Sequence, residues 1–199
     1  MTRTGKITLL FGICLIVATA GVWLWWMTRQ PQGLDRTTTE YAWQKTVVTV
    51  DGQEYTVEHR QFGEGIRVED KPYWKQPAKT PQEAAVAELT CLRTGGTFED
   101  YLRLYADPAQ RRKFIASTGG EDEFVKSNRS MRQALLLGEV RYKELCIVAV
   151  KAAVDDSPDP WVTFGLCFIN KNGHYLSQEK PQTPLMIWLS QNDYLVKYP

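Results

Sequence analysis

The sequence predicts an α+β protein, with an antiparallel sheet covered on one face by helices, behind a single N-terminal transmembrane helix. Three observations carry this. Residues 7–27 (ITLLFGICLIVATAGVWLWWM) form a run of 21 residues with no charge. Between residues 80 and 121, successive helix starts bring their own caps. From residue 141 onward, β-rich segments follow one another across short turns. Such turns join antiparallel neighbours, since parallel strands need a long crossover.

At about 1.5 Å rise per residue the apolar run covers roughly 30 Å, the thickness of a bilayer's hydrocarbon core. A single helix satisfies every backbone amide there. Trp23, Trp25 and Trp26 crowd one end of the run, the position indoles take at a membrane interface. The rival reading is a cleaved signal peptide, with Arg3 and Lys6 as its basic start and Ala18-Thr19-Ala20 as its cleavage site. Against it, the apolar run continues past Ala20 through Trp26. Cys14 makes a poor lipoprotein cysteine, because the larger Ile13 precedes it. Arg29, Arg36 and Lys45 balance the basic residues of the N-terminal side, so charge alone does not orient the helix. The order of basic start, apolar run and long C-terminal part is that of a signal anchor. It implies a bacterial inner-membrane protein with residues 1–6 cytoplasmic and the domain periplasmic.

About 170 residues follow the anchor, enough for one domain with a real core. Lys and Arg number 24 against 23 Asp and Glu, a net charge of +1. This balance gives no nucleic-acid footprint. The expected partners are the lipid bilayer and other integral membrane proteins. Cys91, Cys146 and Cys167 lie beyond the anchor. An oxidising compartment allows one pair; Cys146 and Cys167, on consecutive expected strands, are the candidate disulfide, with free buried thiols as the alternative.

Taken in order, residues 28–45 read as a polar tether and 46–77 as a hairpin with an irregular extension. Thr46–Val50 and Gln53–Val57 flank Asp51-Gly52, the strongest two-residue turn signal. That register sets Val48 opposite Tyr55 and Thr46 opposite Val57. Gly63, Gly65, Pro72 and Pro77 are expected to break the chain. Within this stretch Tyr73 and Trp74 either cover a core edge or contact a partner. Residues 78–199 form the main domain. Thr80-Pro81-Gln82-Glu83 is a capping box with proline at the first helical position, followed by an apolar stripe of Ala85, Val86, Leu89 and Leu92 and a Gly95-Gly96 stop. Thr97 with Asp100 caps a second helix striped by Phe98, Tyr101, Leu102 and Tyr105. Asp107-Pro108 starts a third helix, and a fourth is expected from Glu121 to Leu137, ended by Gly138. Strands are expected over 141–154, 161–169, 174–177, 184–190 and 194–198, with turns at Asp155–Pro160 and Asn172-Gly173.

The segment TPQEAAVAELTCLRTGGTFEDYLRLYADP, with Gly96, Thr97, Phe98, Glu99, Tyr101, Leu104 and Tyr105 in a G-T-F-E-x-Y-x-x-L-Y pattern, resembles the opening of nuclear transport factor two-like domains, also called cystatin-like or SnoaL-type. The resemblance covers about residues 78–199 and implies a curved, cone-like sheet packed with helices. It carries over packing positions and no functional residue. The family includes isomerases, cyclases, dehydratases, ligand binders and interaction modules, so it implies no single activity. An anchored member on the outer face of a bacterial inner membrane is similar in layout to assembly components of type IV secretion systems.

Chemistry-bearing motifs are sparse. There is no Cys-x-x-Cys and no His-x-x-x-His, and thus no metal expectation. Asp155, Ser157 and Asp159 mimic the first ligands of a calcium loop, but Pro160 stands where glycine is needed and Leu166 where the bidentate glutamate belongs. No cofactor motif appears. Enzymes of the resembled fold place acid–base residues inside the cone; Asp100, Tyr101, Tyr105 and His174 are the candidates here, although both tyrosines also fit an ordinary apolar stripe. The expectation is a non-catalytic, membrane-anchored interaction or scaffold domain, an accessory subunit or assembly factor of a larger membrane complex. The alternative is a tethered enzyme or small-molecule binder using the cone interior.

Overall fold

The computed structural model describes residues 42–154 and 161–191. The anchor with its interface tryptophans, the tether up to residue 41, the Asp155–Pro160 turn and the strand expected at 194–198 lie outside the described residues. Among the described residues no helix is long and apolar enough to cross a membrane.

A six-stranded antiparallel sheet runs in sequence order: β1 (Gln44–Val50), β2 (Gln53–Arg67), β3 (Met131–Tyr142), β4 (Leu145–Val154), β5 (Trp161–Lys171) and β6 (His174–Ser177). Among the described residues the helices are α1 (Pro81–Cys91), α2 (Phe98–Arg103), α3 (Pro108–Ser117), α4 (Glu121–Arg129) and α5 (Pro184–Gln191), with a 3-10 turn at Tyr73–Lys75. The first hairpin has the expected register, with Val48 opposite Tyr55 and Thr46 opposite Val57. Asp51 and Gly52 both take positive φ, 51° and 78°, the turn whose twist matches that of the flanking strands.

The irregular extension after the hairpin is shorter than expected, confined to residues 68–72 and 76–80 around the 3-10 turn. β2 continues to Arg67 and pairs with β3. Between Gln61 and Ile66 the register slips, with Gly63 and Gly65 at positive φ of 56° and 94°. The glycines thus bend the strand at a bulge instead of ending it. Further slips in the β3–β4 pairing add to the curvature.

Three helix caps form as read. Thr80 and Thr97 make capping boxes with Glu83 and Asp100, and the Asp107 side chain accepts from the Gln110 amide. α1 is buried almost all round, not along one stripe. Ala84, Ala85 and Ala87 let neighbouring elements approach it, and its polar residues Gln82 and Glu88 are enclosed with the rest.

Three expectations are corrected. The fourth helix stops at Arg129, and Met131, Leu135 and Leu136 belong to β3. Gly138 sits inside that strand because a side chain there would meet the Arg60 carbonyl at 2.6 Å. The strand read over 141–154 is split by a turn at Lys143 (φ 56°) into the β3–β4 hairpin. Residues 184–190 are helical: Thr183 and Pro184 repeat the cap-then-proline start of α1 and α3, and the Met186 amide donates to Thr183 Oγ1 at 3.3 Å. Leu185, Met186 and Leu189 pack with Val48, Val50, Val57, Val140 and Ile147. α1 contacts β4, β5 and β6, whereas α5 contacts β1.

Candidate functional site

α1 delivers Glu88 to the centre of a polar network. The apolar stripe left Glu88 on the outside of that helix, yet the residue is only 7% exposed. Glu88 Oε1 accepts from Tyr101 Oη at 3.1 Å and from Tyr105 Oη at 2.5 Å, and Oε2 accepts from Ser177 Oγ at 2.8 Å. Tyr101 lies on α2 and Tyr105 one residue past its C-cap Leu104, bridged to Ser177; their hydroxyls are within 3.0 Å of each other. Ser177 is fixed by its backbone, since its amide donates to the Leu104 carbonyl and its own carbonyl accepts from Ala106.

Arg111 of α3 closes the network. Its guanidinium donates to Tyr101 Oη and to Glu179 Oε1, both at 2.8 Å. It also stacks on the rings of Tyr105 at 4.7 Å, Phe124 at 5.3 Å and Phe114 at 5.4 Å. Burial, reinforced by the Glu88 charge, pushes both phenols well above the usual tyrosine range. Burial works against the Arg111 charge, but the Tyr101, Tyr105 and Glu88 oxygens outweigh it and raise its pKa. The phenols are therefore donors with protons held in place. Three hydroxyls occupy the carboxylate. The arrangement ties α1, α2, α3 and β6 together.

A cleft of about 740 Å³ lies beside this network, lined by Glu88, Tyr105, Arg111, Phe114, Cys167 and Lys180 among others. Of the four residues read as an alternative pocket, the structure brings together Tyr101 and Tyr105. Asp100 caps α2, accepting from the Thr97 amide and hydroxyl at 3.0 and 2.7 Å; those bonds hold its carboxyl below the usual range. His174 is exposed, paired with Lys171 across the β5–β6 turn.

The thiols of the described residues are enclosed. Cys91, Cys146 and Cys167 are free and buried, and burial pushes Cys91 and Cys167 up to about 12 and Cys146 well above its usual value. The Cys146–Cys167 disulfide is corrected by the register: Cys146 stands opposite Phe168 and Cys167 opposite Ile147, so the two point to opposite sheet faces. Trp74 covers a core edge, packing on the α1–α4 cluster and donating to Thr94 Oγ1 at 3.0 Å; Tyr73 beside it is half-buried.

A second buried polar group was not anticipated. Glu139 is fully buried and accepts from Arg60 Nε at 2.6 Å, with Trp43 stacked 4.6 Å from the Arg60 guanidinium and 4.0 Å from that of Arg141. Burial raises the Glu139 pKa against the pull of Arg60. Among the described residues, no group of three or more His, Cys, Asp or Glu is placed to hold a metal ion. No protein-family model matches the chain, and no curated protein or solved structure matches it either.

Proposed function

We propose that this chain is a membrane-anchored, extracytoplasmic interaction domain, a non-catalytic accessory subunit or assembly factor of a larger membrane complex. The observation that carries the reading is the state of the Glu88 network. Two of the four candidate acid–base residues, Tyr101 and Tyr105, are satisfied within it: three hydroxyls share one carboxylate, with Arg111 behind them. The interior is packed as well, with Phe168, Tyr101 and Phe62 fully buried. The uncharged run at 7–27 supports the anchor, and the signal-anchor order supports a cytoplasmic N-terminus and a periplasmic domain in a bacterial inner membrane. The test is purification of the full chain, tagged at its C-terminus, from native membranes in mild detergent. The expected result is stoichiometric co-purification of integral membrane proteins; a lone monomer in several detergents would overturn it.

The cleft beside Glu88 favours a second reading, a tethered small-molecule binder. Its volume of about 740 Å³ falls within the range of ligand sites. Thermal-shift screening of the full chain against metabolite-sized ligands tests it: a ligand that stabilises the wild type but not Tyr105→Phe supports it, and absence of any such ligand counts against it.

A further inference from the structure

We propose that the cleft beside the Glu88 network is a docking groove for an acidic peptide segment of a partner protein, a proposal that rests on the interaction-domain reading and gives its partner a chemistry. The charges of the groove are asymmetric. Its cations are Arg111, Lys113 and Lys180, and its acids are Glu88 and Glu179. Both acids are occupied, Glu88 by three hydroxyls and Glu179 by Arg111. Lys113 and Lys180 form no ion pair among the described residues. The wall therefore presents two uncommitted ammonium groups and no uncommitted carboxylate.

The remaining lining suits a peptide better than a small anion. Gln110, Gln178 and Gln182 line the same groove. Each amide carries a donor and an acceptor, the complement of a backbone that offers one N–H and one C=O per residue. Phe114, also in the lining, is 49% exposed, among the largest exposed apolar side chains of the described residues. The Arg111 guanidinium lies 5.4 Å from its ring, so Phe114 offers an apolar step beside the cations. A small inorganic anion would use the lysines and leave the amides and this ring without a role.

The experiment is a fluorescence anisotropy titration of a fluorescein-labelled hexaglutamate peptide with the full chain in uncharged detergent micelles. The expected result is saturable binding that weakens as salt rises. It should weaken about tenfold or more in the double variant Lys113→Glu/Lys180→Glu. The double variant Lys126→Glu/Lys171→Glu carries the same net charge change at exposed lysines outside the groove, and it should bind as the wild type does. Near-ultraviolet circular dichroism of all three proteins should coincide. Absence of saturable binding would overturn the proposal, and so would equal loss in both double variants. Displacement of the peptide by an equal concentration of free glutarate would also overturn it, because the groove would then be a small-anion site. None of these failures bears on co-purification of the chain with membrane proteins, so the broader reading stands or falls separately.

Discussion

Replacing Glu88 by alanine separates a structural carboxylate from an ordinary surface glutamate. The change removes the shared acceptor of Tyr101, Tyr105 and Ser177. Hydrogen bonds to a charged group are worth about 1.5–3 kcal/mol each, and an orphaned buried donor costs about 1–3 kcal/mol. Part of the network survives, since the phenols still bond each other at 3.0 Å and Tyr101 still accepts from Arg111. That leaves about two donors stranded and one buried charge removed, a net loss of about 4 kcal/mol. The assay is urea unfolding of the full chain in mild detergent, followed by tryptophan fluorescence. With a slope of about 2 kcal/mol per molar urea, the midpoint falls by about 2 M. Glu88→Gln keeps one acceptor and should lose less than half of that. A Glu88→Ala midpoint within about 0.3 M of wild type would refute the reasoning, because exposed surface changes stay within roughly 0.5 kcal/mol.

Leu185→Ala and Met186→Ala should each cost about 2–5 kcal/mol as buried core truncations, while the exposed Ile187→Ala costs well under half as much in the same urea assay. A strand would instead group Ile187 with Leu185 and spare Met186, so equal costs at 185 and 187 would disprove the helix. Gly138→Ala should destabilise by about 1–3 kcal/mol, seen as a lower melting temperature, because the added carbon meets the Arg60 carbonyl at 2.6 Å. Cys91 and Cys167 are raised from 9.0 to about 12 in the fold. Their contribution is complete below pH 9 and lost between about 9 and 12, since the unfolded chain releases those protons first. The urea midpoint should fall across that window, and Ellman's reagent should reach the three described thiols only after unfolding.

The elements that could be read from the sequence are those with local chemistry. Thr80, Thr97 and Asp107 each announce a helix through a side chain that satisfies a free amide, and Asp51-Gly52 sets a register through turn geometry alone. The misread elements depend on distant partners. Met131–Leu137 has apolar spacing that suits a helix, and pairing with β2 and β4 makes it a strand. At 184–190 the local signal was present in Thr183-Pro184, but the run of β-prone side chains obscured it. The site followed the same division. The spacing of Tyr101 and Tyr105 put them close together, whereas Glu88, Arg111 and Ser177 reach them only through the packing of α1, α3 and β6. A glutamate one position before Leu89, on a helix enclosed all round, was the available hint; alanines at 84, 85 and 87 allow that enclosure.

The proposed contact function and a structural role for the buried tyrosine–glutamate network are open to one test. Blue native electrophoresis of membranes carrying the wild type, Tyr105→Phe or Lys113→Glu/Lys180→Glu tests both most directly. The account predicts a high-mass species containing the wild-type chain, retained in Tyr105→Phe and lost in the double lysine variant. A wild-type chain migrating alone would contradict it, as would a high-mass species that survives lysine reversal but disappears with the single tyrosine hydroxyl.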